Sequence, residues 1–243
     1  MLSIFIKELN SFFSSLIAYI VVGVFLAILG LIMWVFPDTS LLNYSYATLD
    51  QLFDMAPVIF LFLIPAITMR SFAEEQQTGT IEILSTKPLS DTEIVGGKFL
   101  ANFALVIFSI LPTLIYYYSV YKLGAPEGNL DSGAIMGSYI GLILLGGGFA
   151  AIGIFASALT NNQIVAFIIS VFFCFLFYWG FYFFSKLPIF VGKVDDIVQM
   201  LGIEYHYLSI SKGVVDSRDV VYFLSFILAF LGLTVTVLEK RKW

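Results

Sequence analysis

Ionisable side chains are scarce in this sequence: Asp, Glu, Lys and Arg make up 12% of its 243 residues, with one histidine and one cysteine besides. Cys174 lies in an apolar run with no intrachain partner, which excludes a disulfide framework and a cysteine-bound metal. His206 has no companions at ligand spacing, so its expected role is packing in a loop or at the membrane interface. No G-x-S-x-G, H-E-x-x-H or C-x-x-C occurs, and GGK at 96–98 is not a phosphate loop, because Phe99 stands where Ser or Thr is required. No catalytic, cofactor-binding or metal-binding residue is therefore assigned, and an enzyme is not expected. A net charge of -5 without a basic domain speaks against a nucleic-acid partner.

Apolar side chains are plentiful instead. The chain is 60% hydrophobic with 26 phenylalanines, more than a soluble fold of this size can hide. Six apolar runs, near 16–36, 53–70, 98–121, 135–158, 164–184 and 220–238, have the length needed to cross a bilayer core. The expected fold is an all-α polytopic membrane protein, a single domain over 1–243 in contact with lipid, with 53–70 its shortest span. Six crossings put both termini on one side. Seven basic residues (Lys7, Arg70, Lys87, Lys98, Lys240, Arg241 and Lys242) against five (Lys122, Lys186, Lys193, Lys212 and Arg218) favour cytoplasmic termini. No ionisable residue falls near the middle of a run, which argues against proton-coupled transport.

Within residues 1–15, Leu2, Phe5, Leu9, Phe12 and Leu16 recur three or four apart, with Lys7, Asn10 and Ser14 on the other side, the pattern of an interfacial elbow helix. Pro57 and Pro65 in the second run and Pro112 in the third are candidate kinks. In the fourth run, Gly137 with Gly141, Gly146 with Ala150, and Gly153 with Ser157 have the small-xxx-small spacing that lets helices approach closely, and they are assigned to helix packing or gating. An outer loop at 185–219 holds VDDIVQMLGI, a short amphipathic helix candidate, and Tyr205, His206 and Tyr207, expected near the headgroups.

The polar segment 71–97 stands between the second and third runs. Ser71 with Glu74 and Ser90 with Glu93 have capping-box spacing, and Ser90 is expected to start the third span. Between them GTIEILSTKP reads as a short helix: Gly79 breaks the preceding run, Ile81 and Leu84 share a face, and Lys87-Pro88 closes it. A short amphipathic helix with acids beside its apolar face suits a groove on another protein.

IFIKEL on the elbow, six spans, and EEQQTGTIEILSTKPLSDTEIVGGKF after the second span resemble the membrane permease subunit of type-2 ABC transporters, and most closely the permease of the gliding-motility-associated ABC transporter of gliding bacteria. The motif of that family, an acid, Gly-Thr, a second acid and Leu, Pro-Leu-Ser, then Gly-Lys, is met by Glu74 and Glu75, Gly79 and Thr80, Glu82 and Leu84, Pro88 to Ser90, and Gly97 and Lys98. The resemblance covers essentially the whole chain. It implies an exporter-type permease of the cell inner membrane whose elbow and first cytoplasmic loop contact a separate ABC ATP-binding subunit, where ATP and Mg would bind. The partner-coupling residues it implies are Lys7, Glu8, Glu74, Glu75, Gly79, Thr80, Ile81, Glu82, Leu84 and Pro88. It also implies a second permease half, forming a homodimer or a heterodimer. The alternative is a non-transporting membrane anchor or mechanical transmitter moved by the same ATPase.

Overall fold

In the hydrocarbon core of a bilayer a chain can satisfy its backbone polar groups only within itself, so apolar runs of this length fold as helices. The computed structural model describes residues 1–43, 47–80, 89–189, 192 and 194–241, and every regular element among them is helical. The described residues contain six helices long and apolar enough to cross a membrane: Ala18–Val35, Asp50–Gln77, Asp91–Leu123, Ser132–Leu159, Gln163–Ser185 and Ser217–Lys240. They are called the first to sixth spans below. An N-terminal helix, Leu2–Ser14, precedes them.

The fourth span is the hub, packed against the second, third, fifth and sixth, and 78% of its apolar window is buried, against 22% for the first and sixth spans. Its glycines make this possible, but they serve different neighbours. A Cβ on Gly137 would lie 3.0 Å from the Gly213 backbone in the loop between the fifth and sixth spans, and one on Gly141 would lie 2.9 Å from Ile210. At Gly146 the neighbour is Val106 of the third span, and at Gly153 it is Thr68 of the second. The small-residue spacing thus lets loop and helices approach from several sides, where one partner helix would need a single stripe.

Several boundaries depart from the sequence expectation. The second span is not the shortest: its helices run 28 residues, from Asp50 to Gln77, passing unbroken through the buried Pro57 and Pro65 and interrupted only at Met69. Pro112 does interrupt the third span, in a 3-10 turn at Leu111–Thr113. That span starts at Asp91, where Ser90 and Glu93 form the expected reciprocal capping box. Ser71 and Glu74 form none, because Ser71 lies one residue inside the helix Arg70–Gln77, whose Phe72 and Ala73 amides are taken by Ser157.

The loop between the fifth and sixth spans folds back into the bundle. Besides the expected helix at Asp195–Met200, a second helix, Ile203–Ile210, packs on the fourth span. Tyr207 is 1% exposed and donates from its hydroxyl to the Phe53 carbonyl at 2.6 Å, so it is a core residue and not a headgroup one. His206 stacks on Tyr222, with its Nδ1 2.7 Å from Asp219 Oδ1 and its Nε2 2.9 Å from the Met200 carbonyl. Those contacts agree with a loop-packing role. Cys174 is fully buried.

Candidate functional site

The N-terminal helix buries Ile4 and Glu8; of the residues that the apolar spacing picks out along it, Leu2 is 70% exposed and Phe5, Leu9 and Phe12 are half-buried, Phe12 against the core. Two glycines set that choice. A Cβ on Gly97 would meet Ile4 Cβ at 2.9 Å and the Met1 carbonyl at 3.0 Å, and one on Gly96 would meet Met1 Cε at 3.1 Å. The glycines of GGK therefore let the N-terminal helix lie directly on the start of the third span, with Leu2 left exposed. The N-terminal ammonium adds an ion pair to Glu93 at 3.4 Å.

This close approach brings Glu8 onto Lys98. Lys98 is 1% exposed, and its Nζ lies 2.9 Å from Glu8 Oε1, 2.9 Å from Glu75 Oε2 and 2.6 Å from the Ser71 carbonyl. The Glu8 and Ser71 contacts are aligned hydrogen bonds; the Glu75 contact is an ion pair by distance alone. The same ammonium lies 5.1 Å from the Phe72 ring centre, within cation–π range. Lys7 closes the ring of charges, 2.8 Å from Glu75 Oε1 and 3.3 Å from Glu8 Oε1. Burial disfavours its charge, but the hydrogen bond to Glu75 and the two carboxylates outweigh that and raise its pKa above the ordinary 10.5. A buried charge is costly unless paired and hydrogen-bonded, and Lys98 meets both conditions. Beside it Asn102 Nδ2 donates to both Ser71 Oγ (2.9 Å) and the Lys98 backbone carbonyl (2.8 Å).

Of the residues singled out for partner coupling, Lys7, Glu8 and Glu75 meet here. Glu74, next to them, turns instead to Arg70, which donates twice, at 2.8 and 3.0 Å. Gly79 has φ 73°, the left-handed conformation that suits glycine, and ends the second-span helix as expected, with Thr80 after it. Ile81, Glu82, Leu84 and Pro88 lie outside the described residues. A cleft of about 820 Å³ opens at this junction, lined by Ser3, Lys7, Ser11, Arg70, Glu74 and Thr80 among others.

Lys98 was not among the residues singled out for coupling, although it is the centre of the ring. The signal available was a lysine at the entrance of an apolar run, five residues after a helix-capping Glu and directly after two glycines. Its partners are 90 and 23 residues away in sequence, and no local pattern shows them. Among the described residues no group of three His, Cys, Asp or Glu is placed to hold a metal ion.

Residues 35–235 match the family described as ABC-2 family transporter protein. No curated protein matches the chain. The family match spans most of the sequence, so the chain belongs to the ABC-2 transporter family, a membrane permease component and not a nucleotide-hydrolysing domain.

Proposed function

From that membership we propose that the chain is the permease subunit of an ATP-driven exporter in the cell inner membrane, with hydrolysis carried out by a separate cytoplasmic ABC ATP-binding subunit. The observation that carries the reading is the ring of Lys7, Glu8, Glu75 and Lys98. It ties the N-terminal helix, the end of the second span and the start of the third into one body at the base of the segment around 78–90. A partner docked on that segment would move all three together. Lys7, Glu8, Glu74, Glu75, Gly79, Thr80, Ile81, Glu82, Leu84 and Pro88 form the coupling surface in this reading, and Pro57, Pro65 and the fourth-span glycines set how the helices move.

Both termini are cytoplasmic in this arrangement, and two permease halves, identical or not, complete the pathway with two ATP-binding subunits. The likeness of the 74–98 motif to gliding-motility permeases supports a role in surface movement and its associated secretion. Purification from native membranes in mild detergent, with quantitative mass spectrometry of the chains retained at fixed ratio, tests the reading. A stoichiometric ATP-binding protein is expected with the unaltered chain and is expected to be lost on Ile81→Asp with Glu82→Lys. Retention of no such protein, at normal yield and fold, would instead favour a membrane scaffold that transports nothing.

A further inference from the structure

We propose that Ser157 of the fourth span is a positioning residue for coupling: its hydroxyl is inserted into the backbone of the second span and sets the direction of the helix Arg70–Gln77. The role in coupling rests on the permease reading above; the role in positioning does not. In an unbroken helix the Ala73 N–H would donate to the Met69 carbonyl. Ser157 Oγ stands between those two groups, donating to the Met69 carbonyl at 3.0 Å and accepting from the Ala73 N–H at 3.0 Å. It accepts from the Phe72 N–H as well, at 2.9 Å. A side chain inserted into the i→i−4 ladder is a recognised cause of a helix kink, and here the helix is interrupted at Met69.

The inserted hydroxyl comes from 84 residues away and is fully buried. It reaches the ladder because the turn before it carries Gly153, where a Cβ would lie 2.7 Å from Thr68 Cβ. A second tie holds the far end of the same helix, as Gln76 Nε2 donates to the Ala158 carbonyl at 3.2 Å. Glu75 and Glu74 ride on this helix, so its direction is also the direction of the charged junction. A displacement of the junction reaches the fourth span, the hub of the bundle, through these two residues.

The test places spin labels at Gln77→Cys and Asn161→Cys in a Cys174→Ala background and measures their distance in lipid nanodiscs, with the permease alone. In Ser157→Ala the Met69 carbonyl and Ala73 N–H are free to rejoin. The helix is eight residues, about 12 Å, long, so straightening by about 20° displaces its end by roughly 4 Å. Ser157→Thr keeps the hydroxyl and is expected to keep the original distance. Should Ser157→Ala fold poorly, Ser157→Val has the shape of Ser157→Thr without the hydroxyl and is expected to shift the distance in the same sense. Superimposable distances in the unaltered chain and Ser157→Ala, or an equal shift in Ser157→Thr, would overturn the proposal. Where an ATP-binding subunit co-purifies, its stimulated hydrolysis is expected to fall on the order of 2- to 30-fold in Ser157→Ala with association retained. Absence of that subunit would remove the permease reading and leave the distance result to decide the position of the helix.

Discussion

The two ends of the helical bundle are held together by different chemistry. At the junction of the N-terminal helix with the second and third spans, four charges neutralise one another around a buried lysine, and the partners come from three separate parts of the chain. At the other end a single loop folds back and is fixed mainly through aromatic and imidazole groups: Tyr207 on the Phe53 carbonyl, Trp179 on Glu204 at 3.0 Å, and His206 on Asp219. Removing Lys98 from the first set leaves two nearly buried carboxylates with only the half-exposed Lys7 between them, whereas removing the Tyr207 hydroxyl from the second leaves a neutral carbonyl. The first end is therefore expected to be the more tightly coupled of the two.

The largest effect is expected from Lys98→Met, which leaves Glu8 and Glu75 sharing only the half-exposed Lys7 as counterion. Loss of one partner of a buried pair costs about 3–5 kcal/mol, read by denaturant unfolding in mixed micelles. Adding Glu8→Gln and Glu75→Gln to Lys98→Met should recover a large part of that loss, and no recovery would show that the charges are not what holds this end. Gly97→Leu should cost about 1–3 kcal/mol by forcing the N-terminal helix off the third span. The control is Gly23→Leu in the first span, where a Cβ meets nothing within 4 Å and little loss is expected. At the opposite end Tyr207→Phe leaves the Phe53 carbonyl without a donor, since Pro57 four residues on has no N–H, and is expected to cost about 1–3 kcal/mol; a loss larger than that of Lys98→Met would reverse the comparison.

The smallest effect is expected at the rim of the charged ring. Lys7 is 57% exposed, so Lys7→Ala should cost roughly 0.2–1 kcal/mol, with the difference shrinking as salt is raised. Its pKa in the folded protein is raised above 10.5, so the contribution is fully present below that value and is lost as pH rises through the higher folded one. Unfolding of the unaltered chain and Lys7→Ala at high pH should therefore converge.

The spans were legible because hydropathy over about 20 residues reports the solvent that a segment tolerates. Their roles were not: the first and fourth spans have mean hydropathies of 2.6 and 2.2, yet one is peripheral and the other is the hub. The glycines of the fourth span pointed to close packing but not to its partners, because Gly137 and Gly141 meet the loop between the fifth and sixth spans and Gly153 meets Thr68. Ser71 and Glu74 carried the spacing of a helix start, but the helix begins one residue earlier and its first amides go to Ser157, so the same letters serve Asn102 and Arg70 instead. Tyr207 had the composition of an interface residue and went into the core, where a carbonyl receives its hydroxyl.

The sequence by itself determined that this is a six-helix membrane chain with a capped third span, a glycine stop at Gly79 and the motif of a transporter family, because solvent preference, helix caps and glycine conformation act over a few residues. Only the tertiary structure decided that Lys98 is the centre of the charged junction and that Ser157 stands inside the second span's backbone. Both depend on helices far apart in the chain being brought within 3 Å, and that approach is fixed by glycines whose effect is visible only against the neighbour they admit.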